Sequence, residues 1–147
     1  MRHHTKDKGD IGLGFVIADL FSHGIQVALP ISEHLPFDLI AISEHRKLAR
    51  VSVKYRTATG SCLALNLKSF WSDSHGLHVR PHDKNSYGAI ALYCPNTGEC
   101  YYIRNDEVDV GTQITLRLTK SRNHQTKRIR YASAFRNPTR IFAPVAQ

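Results

Sequence analysis

The chain lacks any apolar stretch of the roughly 20 residues that a membrane-spanning helix requires. The first eight residues are polar and charged with no apolar run after them, which argues against a secretory signal peptide. Cysteine is scarce: Cys62, Cys94 and Cys100 cannot all pair within one chain, so reduced thiols are expected. These absences predict a soluble, cytoplasmic protein with no membrane partner. The 147 residues, 41% of them hydrophobic, predict a single domain spanning residues 1–147.

Acidic residues are absent from the last quarter of the chain. Residues 1–110 carry 12 Lys+Arg and 12 Asp+Glu, whereas residues 111–147 carry eight basic residues and no acidic one. The whole net charge of +8 therefore belongs to this basic C-terminal segment, which Ile129, Tyr131 and Phe135 are expected to anchor on the body. A surface of one sign beside a neutral body favours binding to nucleic acid. The alternative is a solvated tail that keeps the protein soluble.

Hydrophobic periodicity predicts one helix followed by a series of short strands. Helical spacing runs from Asp10 to about His23 and stops at Gly24, and residues 48–57 alternate clearly between apolar and polar side chains. Residues 68–86 lose periodicity and predict a long loop, while residues 123–135 predict a basic helix before an extended tail. This order predicts an α/β or α+β fold around one mixed sheet. The predicted strands are residues 25–29, 37–42, 48–57, 61–67, 87–94, 100–104 and 114–118.

A candidate chemical site lies on two of these strands. Asp38 begins one strand and Lys54 lies near the middle of the next, so a hairpin places both side chains on one sheet face. Ser52, two residues before Lys54, shares that face. A carboxylate and a backbone carbonyl are ligands that Mg²⁺ accepts, and a lysine stabilises negative charge that develops on a phosphate. The alternative for Lys54 is an aliphatic stem packed on the sheet with its ammonium in water.

Short motifs around this pair resemble one nuclease family. Pro36-Phe37-Asp38 followed by Val51-Ser52-Val53-Lys54 resembles the signature of the PD-(D/E)XK nucleases. Lys8-Gly9-Asp10-Ile11-Gly12 is similar to the start of the first helix in the members related to homing endonucleases encoded within group I introns. The resemblance extends from about Lys8 to Phe135. Further similar segments are Leu29-Pro30, Asn66-Leu67, Tyr93-Cys94-Pro95, Asp106-Glu107-Val108 and Arg128-Ile129-Arg130-Tyr131-Ala132.

The resemblance implies a restriction-endonuclease-like fold, in which helices flank a central mixed sheet. It implies a catalytic core at residues 8–110 and a DNA-binding segment at residues 111–147. Asp38 would be the central metal ligand, Lys54 the catalytic lysine, and Val53 would contribute its carbonyl oxygen. Asp10 would supply an additional acidic ligand from the N-terminal end of the first helix, unless it only caps that helix. The implied cofactor is Mg²⁺ or Mn²⁺, and no small-molecule cofactor is expected.

Position 52 departs from the family pattern, which usually has Glu, Asp or Gln there to bind the metal or orient a water. Ser52 is shorter and a poorer ligand, although its hydroxyl can hold a water. Three explanations remain open: a weaker but active site, an acidic ligand that has moved to a position such as Asp10, or a chain altered to block cleavage.

The implied function is site-specific cleavage of double-stranded DNA by a homing endonuclease. A chain with one active site must pair to cut both strands, so a homodimer or homotetramer, associated with the nucleoid, is expected. The alternatives are a non-catalytic DNA-binding protein on a nuclease scaffold and a Holliday-junction or repair nuclease. The predicted DNA contacts are Arg56, Lys68, Arg80, Lys84, Lys120, Arg122, Lys127, Arg128 and Arg130.

Overall fold

The computed structural model describes residues 4–67, 69–80, 87–108, 113–120 and 129–142, without the side chains of residues 69–71 and 80. Within these ranges the chain forms one α-helix and nine strands, and no helix there is long and apolar enough to cross a membrane. Short 3₁₀ helices span Asn105–Glu107, Ala132–Phe135 and Pro138–Phe142. The other elements are α1 (His4–Ser22), β1 (Gln26–Ala28), β2 (Leu39–Ile42), β3 (Leu48–Tyr55), β4 (Cys62–Asn66), β5 (Ser69–Asp73), β6 (Gly76–Arg80), β7 (Ala89–Cys94), β8 (Glu99–Arg104) and β9 (Gln113–Arg117).

Five strands form the central sheet, in the order β1-β2-β3-β7-β8. Neighbouring strands are antiparallel except β3 and β7, which run parallel, so the sheet is mixed. A tight turn at residues 43–47 joins β2 and β3 into a hairpin. Parallel strands need a long crossover connection, and β4, β5 and β6 lie within the connection from β3 to β7. The predicted α+β class and mixed sheet are confirmed.

Apolar side chains on the two faces of the central sheet form two cores. On one face α1 packs Val16 and Leu20 against the sheet. On the other face β4 and β9 pair as a small antiparallel sheet that contributes Leu63 and Leu65 to the second core. Strand β7 is buried on both faces, which explains its uninterrupted apolar sequence. Among the described residues, α1 thus covers one face of the sheet and the β4–β9 pair covers the other.

Helix α1 begins at least six residues before its predicted start at Asp10. Gly12 lies where the helix crosses β3: a Cβ added there would be 3.5 Å from the Tyr55 Cβ and 3.9 Å from the Lys54 carbonyl oxygen. Phe15 stacks on Tyr93 with ring centroids 4.2 Å apart. The N-terminal half of α1 therefore lies beside the C-terminal end of β3.

Three regions differ from their predicted conformation. Residues 68–86, predicted as a loop, contain β5 and β6, which pair as an antiparallel ribbon. In the predicted helix at residues 123–135, Tyr131 is extended and bridges to Arg117, and a 3₁₀ helix follows. Residues 121–128 lie outside the described ranges. The tail, predicted to be extended, forms another 3₁₀ helix at Pro138–Phe142.

Arginines fasten the C-terminal segment to the edge of the sheet. The Arg140 guanidinium donates to both carboxylate oxygens of Glu107, at 2.7 and 2.5 Å, and to the Tyr102 carbonyl at 2.7 Å. Arg104 donates its backbone N–H to the same carboxylate at 2.9 Å, and the Arg130 guanidinium donates to the Glu107 carbonyl. Burial raises the pKa of Glu107, but these hydrogen bonds and the charges of Arg140 and Arg104 outweigh burial and lower it. We call Glu107 and the three arginines that donate to it, Arg104, Arg130 and Arg140, the Glu107 clamp.

Candidate active site

Asp38 immediately precedes β2, at the end of the hairpin far from the 43–47 turn. Its backbone N–H donates to the Val51 carbonyl at 2.9 Å, and its Oδ2 accepts a hydrogen bond from the Val53 N–H at 2.6 Å. The carboxylate thus takes the place of a strand carbonyl just before β2 begins. One oxygen is fixed against β3, so Oδ1 is the oxygen that can bind a cation. The side chain is exposed, as a group that meets a large substrate has to be.

Lys54 is half-buried near the end of β3. Val51 and Val53 contribute to the core beneath α1, and the alternation along the strand directs Ser52 and Lys54 to the opposite face. Burial lowers the pKa of Lys54, the charge of Asp38 acts to raise it, and the charge of Arg56 lowers it further. The structure therefore brings Asp38 and Lys54 together across the β2–β3 hairpin, close enough for their charges to interact.

The Val53 carbonyl points to the side of β3 on which the Asp38 carboxylate lies. In a strand, the N–H and C=O of one residue point to the same side, and the Val53 N–H points to Asp38. Strand β2 pairs with β3 only as far as Leu39 and Val51, so it offers Val53 no ladder partner. Ser52, only 4% exposed, lies between Val51 and Val53 on the face that carries Lys54.

The donor atoms near Asp38 and Val53 decide whether a metal ion fits here. Within the described ranges, no three His, Cys, Asp or Glu side chains are close enough to hold a metal ion. The donors are the Asp38 Oδ1 and the Val53 carbonyl, with the Ser52 hydroxyl adjacent. Mg²⁺ is commonly held by one or two carboxylates when waters and substrate phosphates complete its octahedron. These residues therefore fit a hydrated Mg²⁺ or Mn²⁺ that is shared with a phosphate, and do not fit an all-protein metal cage.

Asp10 does not lie where the sequence predicted it. It belongs to the second turn of α1, so the explanation that it caps the N-terminal end is wrong. Residues two apart on a helix point about 200° apart, and Gly12 faces β3. Asp10 is exposed, on a different side of α1 from Gly12. Its part as an additional acidic ligand stays a prediction.

Tyr87 is a site residue that the sequence did not indicate. It is 8% exposed, and burial together with the charge of Asp38 raises its pKa to about 12. Its hydroxyl therefore stays protonated near the carboxylate. Asn105 donates its side-chain amide to the Tyr87 carbonyl, and the Gly88 N–H donates to the Arg50 carbonyl at 3.0 Å, so the backbone here is fixed. No periodicity or motif marks a tyrosine just ahead of a buried strand.

The predicted DNA contacts fall into four groups. Arg56 is half-buried beside Lys54, with its guanidinium donating to the Tyr55 carbonyl at 2.9 Å, and Lys120 is exposed after β9. Arg130 belongs to the Glu107 clamp, so its guanidinium supports the fold. Arg80 is described only as a backbone position of β6. The residues that lie outside the described ranges are Lys68, Lys84, Arg122, Lys127 and Arg128.

Comparison with known proteins agrees with this geometry. A model of the PD-(D/E)XK endonuclease family matches residues 3–138. The chain belongs to the PD-(D/E)XK endonuclease family. The solved structure of a bacterial homing endonuclease is similar with a TM-score of 0.72, covering 91% of this chain and 89% of that one. The two chains are 20% identical, so this likeness shows the fold alone. No curated protein matches the sequence. The family resemblance and the nuclease fold are thus confirmed, and this family generally uses divalent metal ions.

Proposed function

We propose that this protein is a site-specific double-strand DNA endonuclease of the homing type that depends on Mg²⁺ or Mn²⁺. The observation that carries the proposal is the Asp38 carboxylate, held 2.6 Å from the Val53 N–H on the face of β3 that presents Lys54. An exposed carboxylate, an unpaired strand carbonyl and a lysine are the groups that metal-assisted phosphodiester hydrolysis needs.

Each residue has a distinct part in the proposed reaction. Asp38 Oδ1 and the Val53 carbonyl hold the ion beside the scissile phosphate. The ion, when bound, lowers the pKa of a water and neutralises charge that builds up on the phosphate. Lys54 donates to a phosphate oxygen as negative charge grows there, in partly buried surroundings that strengthen the interaction. Tyr87, whose pKa the charge of Asp38 helps to raise, is proposed to orient that carboxylate.

Ser52 sets the strength of this site. A serine adds no negative charge, so Asp38 would hold the ion with a single carboxylate. Metal affinity without DNA is therefore expected to be weak. The same residue favours a second candidate function, a DNA-binding protein that has lost cleavage, because the buried Ser52 supplies no second carboxylate.

The proposed substrate requires more than one copy of the chain. One site cuts one strand, so a homodimer or homotetramer would carry the paired sites that a double-strand break needs. Arg56 and Lys120, with the basic residues of the C-terminal segment, are proposed to bind phosphates. Each such contact should steepen the dependence of log affinity on log salt by about one unit. A cytoplasmic, nucleoid-associated location would follow from this affinity.

The test is cleavage of supercoiled plasmids that carry random inserts, with Mg²⁺, Mn²⁺ or EDTA. The proposal expects metal-dependent linearisation of a small subset of inserts sharing one sequence, which sequencing of the ends identifies. The Asp38→Asn variant should leave these plasmids intact, while the matched Glu44→Gln variant in the distant turn should cut normally.

Other outcomes would replace the proposal. Tight binding to one insert without cleavage in any metal would identify a non-catalytic DNA-binding protein. Cleavage of branched DNA regardless of sequence would identify a junction or repair nuclease. Equal cleavage by wild type and Asp38→Asn would remove Asp38 from the site.

A further inference from the structure

The β5–β6 ribbon is an element that the site described above does not use. Its strands pair from Ser69–Arg80 to Asp73–Gly76 and make few contacts with other elements among the described residues. Leu77 and Val79 alternate along β6 and are 72% and 48% exposed. An isolated two-stranded ribbon is marginally stable in water. A ribbon that presents aliphatic side chains to solvent is therefore expected to become more stable when a binding partner covers those side chains.

The ribbon begins and ends next to the candidate active site. Leu67, which precedes it, and Tyr87, where the described chain resumes after it, both belong to the core beneath the Lys54 face. Phe37, the neighbour of Asp38, packs against the same core. Whatever binds at Asp38 and Lys54 is therefore adjacent to the base of the ribbon.

The charge of the ribbon suits a polyanion. Its one acidic residue, Asp73, accepts hydrogen bonds from the His78 ring at 2.9 Å and from the His75 N–H at 2.8 Å. These bonds lower the pKa of Asp73 and occupy its carboxylate. In sequence, Lys68 directly precedes β5 and Arg80 is the last residue of β6. Basic positions thus flank the ribbon in sequence, and its one carboxylate is hydrogen-bonded within the ribbon.

We infer that the β5–β6 ribbon enters the major groove of the DNA beside the scissile phosphate and reads its sequence there. The inference rests on the proposed function and adds the specificity element. The major groove of B-DNA admits a two-stranded β-ribbon, and thymine methyl groups accept apolar contacts there. Leu77 and Val79 are the apolar contacts. Five residues of strand extend about 16 Å, which corresponds to about five base pairs at the 3.4 Å rise of DNA.

The occupant is DNA rather than a second copy of this chain because of position and charge. A ribbon beside a phosphodiester-cleaving site meets the DNA that the site holds. A partner protein that covered Leu77 and Val79 would occupy the space next to that phosphate. Contact with thymine methyl groups also predicts that binding weakens when thymine is replaced by uracil, which contact with a protein partner would not predict.

The experiment selects bound sequences from a random duplex library, for wild type, for Leu77→Ala/Val79→Ala and for the control Leu48→Ala. Leu48 is 67% exposed at the far end of β3, so its loss matches the change in exposed leucine. The wild type and the control should yield one consensus. The double variant should lose information over a block of about five base pairs, with discrimination falling roughly tenfold per lost contact. Replacing thymine by uracil in that block should weaken the wild type and leave the double variant unchanged.

A second variant tests the charge argument. His78→Ala removes the partner of Asp73 and leaves a carboxylate facing phosphates, so affinity should fall several-fold for all sequences alike. Circular dichroism and thermal unfolding verify that each variant is folded. If His78→Ala binds every sequence as tightly as wild type does, the ribbon does not lie on the DNA.

The outcomes separate this inference from the nuclease proposal. If wild type cleaves and the double variant selects the same consensus, the ribbon does not read DNA although the nuclease proposal stands. If the double variant changes only the oligomeric state in sedimentation, the ribbon binds a second copy and the inference is overturned. If wild type never cleaves but the consensus block still vanishes, the ribbon reads DNA and the nuclease proposal fails.

Discussion

Glu107 and Asp38 are carboxylates that lie beside cationic side chains, and the protein holds them differently. Glu107 is enclosed: Arg140 and Arg104 donate to both of its oxygens, and its side chain is 15% exposed. Asp38 is exposed, with one oxygen held by a backbone N–H and Lys54 within reach of its charge. The first carboxylate has its hydrogen-bonding capacity filled by the protein. The second keeps an oxygen for a ligand.

The difference shows how the same residue types serve structure or chemistry. A filled carboxylate fastens one part of the chain to another, whereas a carboxylate held by one oxygen is oriented but still reactive. The comparison also divides the basic segment, because Arg130 and Arg140 are used in the Glu107 clamp while Lys120 is exposed. Positive charge in sequence therefore overstates the surface left for DNA.

The largest effect on the cleavage rate should come from removing the charges of Asp38 and Lys54. Asp38→Asn should lower the cleavage rate by about 10³-fold or more, because the metal loses its one charged ligand. Lys54→Met, which keeps the aliphatic stem, should lower it by about 10²–10³-fold, as expected for one lost electrostatic donor. Single-turnover cleavage of the selected plasmid measures both. Lys47→Met in the distant turn is the control, and an equal loss there would show that the effect is unspecific.

Removing the hydrogen bonds to Glu107 should lower the stability of the protein and leave the cleavage rate unchanged. Arg140→Ala is expected to lower the free energy of unfolding by about 2–3 kcal/mol, since Glu107 stays partly buried with fewer donors. Arg136 pairs with Glu99 at an exposed position in the same segment, and Arg136→Ala should cost at most about 1 kcal/mol. Urea unfolding compares the two. Equal losses would mean that the Glu107 clamp is no stronger than a surface ion pair.

Ser52→Gln should add an oxygen ligand next to Asp38. The Asp38 site would then differ still more from Glu107, whose oxygens the protein fills. The Mg²⁺ concentration for half-maximal cleavage should fall by about tenfold, the scale at which a residue supporting a metal ligand acts. Ser52→Ala is the matched control and should change this concentration little. An unchanged metal requirement in Ser52→Gln would show that position 52 is not part of the site.

Acid should weaken the closed carboxylate in a predictable direction. The pKa of Glu107 is lower in the folded protein than in the unfolded chain, where it is about 4.3. Its stabilising contribution is therefore complete above that value and is lost as pH falls through the lower folded pKa. The difference in Tm between wild type and Glu107→Gln should be largest near neutral pH and should shrink as the pH falls through the lowered pKa of Glu107. A difference that grows on acidification would contradict the direction of the shift.

The smallest effect is expected at Tyr87. Tyr87→Phe removes the hydroxyl near Asp38 but keeps the buried ring, so cleavage should fall by several-fold with little change in Tm. The rate at saturating DNA should decrease more than the apparent affinity for DNA, because the hydroxyl aligns the carboxylate. A change in affinity alone would place Tyr87 in DNA binding instead.

The sequence predicted what local patterns encode. Alternation along residues 48–57 and the short turn predicted the β2–β3 hairpin, and the hairpin brings Asp38 to Lys54. The ribbon was missed because Ser, His and Asp interrupt the apolar alternation that marks a strand. The start of α1 was missed because Gly9 and the charged residues before Asp10 resemble a helix boundary. The Glu107 clamp joins residues 33 apart in sequence, so no local pattern indicates it.

The central claim is that Asp38 and the Val53 carbonyl hold a divalent cation beside Lys54. Paramagnetic Mn²⁺ tests it directly, through broadening of backbone amide signals in nuclear magnetic resonance spectra of the protein, with and without the selected DNA. We expect the amides of Val53 and Lys54 to broaden at substoichiometric Mn²⁺, the amide of Lys47 to stay sharp, and the effect to vanish in Asp38→Asn. Broadening centred elsewhere on the chain, or unchanged in Asp38→Asn, would contradict the site.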